Sequence, residues 1–109
     1  MILTLLTALL LPPSAFAEVK AAAAQPTLVV VTGDRCPWCK MLEKDTLSQC
    51  KKELQDFRVI YSTDYQKWQC DSIPTLILLD IKGEEVDRHE GYMSKDAFLN
   101  FLQTAQEGD

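Results

Sequence analysis

Cys36 and Cys39 are separated only by Pro37 and Trp38. At the start of a helix, that spacing lets two sulfurs bond with little strain. Pro37 falls near the first helical position, where its fixed φ suits a helix start and its missing N–H loses no hydrogen bond. Cys36 is thereby placed at the helix N-terminus. Free backbone N–H groups and the helix dipole favour its thiolate there and lower its pKa. The thiolate is the attacking species in thiol–disulfide exchange. Cys39, one turn further in, is expected to be the more buried of the two, which suits a resolving thiol. Together they read as a reversible dithiol/disulfide pair. Trp38 is expected to be an exposed apolar contact for partners, with stacking over the pair as the alternative. Arg35 favours a Cys36 thiolate and Asp34 opposes it, which leaves no net sign.

Cys50 and Cys70 form a second pair. Cys50 and Leu54 are i and i+4, so Cys50 is expected to face inward, while the direction of Cys70 is not readable. A structural Cys50–Cys70 disulfide closes a loop of about 20 residues and stabilises by roughly 3 kcal/mol in the chain-entropy model. Two buried thiols, or a redox relay to the first pair, are the other readings. A zinc site from all four cysteines lacks the two adjacent pairs usual for such sites, so no metal is expected. His89, the sole histidine, reads as a surface residue on a strand. The Asp and Glu residues are scattered and give no paired-carboxylate hydrolase signature. With 11 Lys+Arg against 16 Asp+Glu, the formal net charge is −5. Duplex binding needs a basic footprint, so nucleic acid is not an expected partner.

The scaffold for these residues is one domain, by a length of 109 residues. Hydrophobic residues at 47% and charged residues at 25% are ordinary for a soluble globular protein. Residues 1–17, MILTLLTALLLPPSAFA, carry no charge. Ile2 to Leu11 is apolar except for two Thr, Pro12 and Pro13 break it, and Ala15-Phe16-Ala17 is a small-x-small cleavage pattern. That is the layout of a secretory signal peptide, and it is too short to span a bilayer. An uncleaved N-terminal anchor is the alternative. Cleavage after Ala17 leaves a leader segment, 18–26, and a domain, 27–109. The product is expected to be exported to a compartment where disulfides persist, such as a periplasm.

Thr27 to Thr32 is a continuous β-branched and apolar run, suited to a strand covered on both faces. A helix is expected from Cys36 to Leu47, with Cys39, Leu42, Glu43 and Thr46 on one face. Ser48 can cap a second short helix to about Asp56. Phe57 to Tyr61 reads as a second strand, followed by a short helical segment capped by Thr63-Asp64 and running to about Cys70. Thr75 to Asp80 and Glu85 to Glu90 read as strands joined by a Lys82-Gly83 turn. Ser94 caps a last helix to about Gln106, with Ala97, Phe98, Phe101, Leu102 and Ala105 on one face. Trp68, Tyr61 and Phe101 read as core or sheet-face residues. The order β-α-β-α-β-β-α gives an α/β architecture: a four-stranded mixed sheet with helices on both faces. In open α/β sheets, sites form beyond the carboxyl ends of strands, which is where Cys36 and Cys39 lie.

The chain resembles the thioredoxin family. The matches, in order, are the strand before Cys36-Pro37-Trp38-Cys39, Lys40 after it, Ile73-Pro74-Thr75 before the third strand, and Lys82-Gly83 in the hairpin. Gly91, Ser94-Lys95 and the Phe98-to-Leu102 helix complete the set, so the resemblance covers about Thr27 to Gln106. The stretch W-C-K-M-L-E-K-D-T-L-S looks like exported bacterial thioredoxin-like proteins, including the C-terminal domain of membrane thiol-disulfide interchange proteins. The resemblance implies a thioredoxin fold and a cis Pro74 beside the cysteine pair. It implies an Ile73 backbone that hydrogen-bonds an extended substrate segment, and a Gly91 that leaves room for it. Two departures stand out. Pro-Trp replaces the frequent Gly-Pro between the cysteines, and Val30 stands where thioredoxins carry a buried Asp. Glu43, at i+4 from Cys39, is a candidate replacement proton acceptor. A surface Glu paired with Lys40 or Lys44 is the other reading.

The chain therefore reads as an exported thiol-disulfide oxidoreductase that reduces protein disulfides. It needs no metal or organic cofactor. Its expected partners are disulfide-containing proteins and a redox partner that resets the pair, such as a membrane electron-transfer protein. The rivals are a dithiol oxidant of the same fold, a non-catalytic binding module with a structural Cys36–Cys39 disulfide, and a metal-handling chaperone.

Overall fold

The computed structural model describes residues 24–107. The segment expected to be a signal peptide, 1–17, and most of the expected leader segment, 18–26, lie outside the described residues. Strand β1 is Thr27–Val31, helix α1 is Pro37–Asp45, and a 3-10 turn covers Leu47–Gln49. Helix α2 is Lys51–Leu54 and strand β2 is Arg58–Ser62. Strands β3, Thr75–Leu79, and β4, Glu85–Glu90, precede helix α3, Lys95–Glu107.

The strands form one mixed sheet in the order β2-β1-β3-β4. β1 and β2 are parallel, and β3 is antiparallel to both β1 and β4. The central strands are the apolar runs. Leu28, Val29, Val30, Leu76, Ile77 and Leu78 are all buried, because each strand is covered on both faces. The edge strands β2 and β4 carry charges and are only partly buried.

One sheet face, through Leu28, Val30, Leu76 and Leu78, packs against Leu42 of α1, Leu54 of α2, and Phe98, Phe101 and Leu102 of α3. The other face, through Val29, Val31 and Ile77, is covered by Trp68, Cys70 and Ile73. These three belong to the 63–74 connection, which forms turns and no helix. The expected helix at 64–70 is corrected: among the described residues, this segment covers the second face with turns. Asp64 does start a turn: its Oδ1 accepts from the Lys67 N–H at 3.0 Å. Gln69 then takes the left-handed conformation at φ 54, and the Cys70 N–H donates back to the Tyr65 carbonyl at 2.9 Å. That closure ends the turn after one revolution.

Two smaller expectations also shift. Ser48 caps no helix. Its hydroxyl donates to the Lys44 carbonyl at 2.6 Å and Cys50 occupies the cap position of α2. Ala97 is exposed, whereas Phe98, Phe101, Leu102 and Ala105 are buried. Ser94 does cap α3, accepting from the Ala97 N–H at 3.3 Å.

Candidate active site

Register fixes where the site forms. Val31 at the end of β1 pairs with Thr75 at the start of β3, and Thr75 pairs with Glu90 at the end of β4. Three segments therefore leave the same end of the sheet side by side: 32–36, 72–74 and 91–93. They carry Cys36, Ile73-Pro74 and Gly91.

Cys36 is the N-cap of α1, with Pro37 at the first helical turn. Its Sγ accepts from the Cys39 N–H at 3.0 Å, and its carbonyl accepts from the Lys40 N–H at 3.2 Å. Cys36 and Cys39 are joined in a disulfide with their Cα atoms 5.2 Å apart. On reduction, the same amide donor and the open end of the nine-residue helix favour negative charge on Cys36 over Cys39. The expected difference in burial is corrected: both cysteines are 6% exposed. What separates them is the N-terminal position, not depth.

Beside the disulfide, exposed apolar side chains stand next to the charged Asp34, Arg35 and Lys40. Trp38 is 57% exposed and leans on Tyr92, with ring centroids 5.7 Å apart. Met41, one turn on, is also exposed. The Ile73–Pro74 peptide is cis and Pro74 is buried. The Gly91 N–H donates to the Pro74 carbonyl at 2.7 Å. Gly91 has φ 99, a conformation only glycine adopts readily, and a Cβ there would face open space. Thr46, fully buried, donates from Oγ1 to the Met93 carbonyl at 2.7 Å and so ties the end of α1 to the 91–93 segment.

Gly33 was not singled out by its sequence, though a glycine just before the pair was the available signal. A Cβ on Gly33 would stand 2.6 Å from Ile73 Cδ1. The turn leading to Cys36 and the Ile73 side chain are thus in close approach. Gly33→Ala is expected to push the Ile73 tip aside and to destabilise by about 1 kcal/mol, as modest overpacking does. Denaturant melts check the stability. The KM for a disulfide-bonded peptide should rise while the reduction potential stays put.

Glu43 does not share the inward face of Cys39, Leu42 and Thr46. It is exposed, and its Oε1 accepts from the Tyr61 hydroxyl at 2.7 Å. Tyr61, itself 55% exposed rather than core, has its pKa pushed up to about 12 by partial burial and then by the Glu43 bond. Glu43's partner is thus Tyr61, not Lys40 or Lys44. Among the described residues the buried polar side chains are Thr46 and Thr75, so no carboxylate is buried beside Cys39.

The Cys50–Cys70 disulfide is also corrected. Both are free, buried thiols. Cys50 belongs to the helix-covered face and Cys70 to the opposite one, so the sheet stands between them. Burial pushes the Cys50 thiol pKa up, with Glu53 adding and Lys95 opposing, so it stays protonated. His89 is part-buried, with Nε2 3.3 Å from the Tyr92 carbonyl and its ring edge-on to Phe101. Among the described residues no three His, Cys, Asp or Glu side chains gather as metal ligands would.

A family model described as "Thioredoxin-like domain" matches residues 12–106. The chain belongs to the thioredoxin-like family. Among solved structures, this thioredoxin-like domain is similar to the Trxlp protein of Edwardsiella tarda EIB202. The two are 32% identical with a TM-score of 0.63, over 84% of this chain and 94% of that one. A thioredoxin-fold protein from Helicobacter pylori shares the fold at 19% identity and a TM-score of 0.69, over 78% and 71% of the two chains. An uncharacterized thioredoxin-like protein from Clostridium perfringens does so at 23% and 0.64, over 75% and 71%. A comparison with curated proteins gives no match. The family and the Cys36–Cys39 disulfide together indicate thiol–disulfide redox chemistry for this thioredoxin-like domain.

Proposed function

We propose that this domain is an exported protein-disulfide reductase. The observation that carries the reading is Cys36 at the open N-terminus of α1, disulfide-bonded to Cys39 and flanked by Ile73-Pro74 and Gly91. In the reduced protein the Cys36 thiolate attacks one sulfur of a substrate disulfide. The substrate S–S bond breaks, a mixed disulfide forms, and the first substrate thiolate leaves. Cys39, as thiolate, attacks Cys36 Sγ and expels the second. Two electrons pass to the substrate, whose thiolates take up the two protons given up by Cys36 and Cys39. Trp38, Ile73, Pro74 and Gly91 form the surface that receives the substrate segment.

Export rests on the apolar run at 2–11 and the Ala15-Phe16-Ala17 pattern, and the periplasm is the compartment that fits. The pair must be reset by a reductant. The W-C-K-M-L-E-K-D-T-L-S stretch favours a membrane electron-transfer protein in that role. The second reading, a dithiol oxidant, differs only in potential, which the Pro-Trp between the cysteines tunes.

The test is the reduction potential of Cys36–Cys39, with Cys50 and Cys70 replaced by Ser, in glutathione buffers and read by Trp fluorescence. A value near the thioredoxin end, about −270 mV, supports the reductase. A value near the strong-oxidant end, about −120 mV, overturns it in favour of a disulfide donor. A disulfide that never equilibrates with the buffer leaves only a binding module.

A further inference from the structure

The 63–74 connection has neither helix nor strand, yet it delivers Ile73 and Pro74 to the disulfide. Segments held by few contacts lie at the low-stability end of a fold. One side chain from elsewhere reaches into this one. Arg88 of β4 pairs in register with Ile77, whose side chain lies on the face that the connection covers.

The Arg88 guanidinium is ringed by acceptors. Nε donates to Glu85 Oε2 at 2.7 Å, and Nη2 to Glu85 Oε1 at 2.8 Å. Nη2 also donates to the Trp68 carbonyl at 3.1 Å and Nη1 to the Gln69 carbonyl at 3.2 Å. Nη1 lies 3.9 Å from Cys70 Sγ. A guanidinium has five N–H donors in a fixed fork, and five acceptors meet this one. Three consecutive residues, 68–70, are thereby held, the middle one in the left-handed backbone that a non-glycine residue adopts reluctantly. Beside this turn, Tyr65, Cys70, Asp71, Ser72 and Ile73 line a cavity of about 250 Å³. Cys70 and Ile73 therefore link the Arg88 anchor to the substrate segment.

We propose that Arg88, braced by Glu85, is a positioning residue for substrate recognition. By fixing 68–70 it sets where Ile73 and Pro74 present themselves, and it holds the cavity beside Ile73 in shape. The proposal rests on the disulfide-exchange reading above. Among the described residues, the polar contacts of the Arg88 guanidinium all go to Glu85 and residues 68–70, so it acts on the substrate segment and not on the reacting sulfurs. Lysine is no substitute, because three donors on a point charge cannot span five acceptors.

The Arg88 hydrogen bond holds the Glu85 carboxyl below its ordinary range. A lowered folded-state pKa means the tie is intact at and above the ordinary carboxylate range. It is lost as pH falls through the lowered value.

The test uses the full chain as wild type, Arg88→Gln, Arg88→Lys and Glu85→Gln. Each is assayed for kcat and KM on a disulfide-bonded peptide, for its rate with a small aryl disulfide, and for reduction potential. Amide hydrogen exchange is read at Cys70 and Gly91, whose N–H groups bond to the Tyr65 and Pro74 carbonyls. Arg88→Gln should raise the peptide KM on the order of tenfold, equivalent to about 1.4 kcal/mol. Arg88→Lys should do nearly as much and Glu85→Gln less. The kcat, the aryl-disulfide rate and the potential should not move. Exchange at Cys70 and Gly91 should quicken while that of β1 stays slow. Unchanged KM and unchanged exchange overturn the proposal. So does a fall in the aryl-disulfide rate together with loss of β1 protection, which makes Arg88 a residue of the fold. Should Arg88→Gln not fold, the Lys and Glu85 variants decide between the same outcomes. A wild type that reduces neither disulfide sinks the reductase reading alone, and the exchange rates still judge Arg88.

Discussion

Cys36→Ser removes disulfide turnover, and Cys39→Ser stops it one step later. The two cysteines are equally enclosed, so exposure does not distinguish them. Position does. Cys36 caps α1 and receives the Cys39 N–H at 3.0 Å, so its thiolate is the stabilised one. A serine hydroxyl at that place is far too weakly acidic to attack a disulfide. Turnover of a disulfide-bonded peptide should fall by a factor on the order of 10³ or more, as when other nucleophiles are removed. Cys39→Ser keeps the attack and loses the release. It should accumulate a mixed disulfide between Cys36 and the substrate, visible by mass spectrometry and cleared by added dithiol. Peptide trapped on Cys39 in the Cys36→Ser variant, and none on Cys36 in the other, would reverse the assignment.

Phe98→Ala should be the most damaging single truncation of the fold. Phe98 is fully buried and stacks on Phe101 with ring centroids 6.5 Å apart. It sits among Leu28, Leu42, Leu76 and Leu102, where α1, α3 and the sheet meet. Removing an aromatic ring from such a place costs about 3–5 kcal/mol, part lost transfer energy and part cavity. For a domain of this size the midpoint of thermal unfolding should drop by roughly 15–25 °C. Leu99→Ala, one residue along and only partly buried, should cost far less. A loss under about 1 kcal/mol for Phe98→Ala would mean that the helices and sheet meet elsewhere.

Much of the candidate site is local chemistry and was legible as such. Pro37 at the first turn and Cys36 at the cap follow from short-range backbone geometry. The same holds for the β1, β3 and β4 strands and for Ser94 capping α3. The misreadings share one cause. Helical spacing put Glu43 with Cys39, but a face is inward only where another element covers it. Glu43 lies over the β2 edge beside Tyr61. The 64–70 stretch carries a helix start at Asp64, but the second sheet face needs Trp68, Cys70 and Ile73 laid over Val29, Val31 and Ile77. Burying that apolar face outweighs a weak local preference for one more helical turn.

The sequence by itself determined the redox pair, the strand runs and the family, because these depend on residue type and near-neighbour spacing. Only the tertiary structure decided which distant residues meet. It put Cys50 and Cys70 on opposite sides of the sheet, Gly33 against Ile73, Gly91 against Pro74, and Arg88 under the 68–70 turn. Those meetings are set by strand register and by which face each connection must cover. Neither is encoded in the spacing of any one segment.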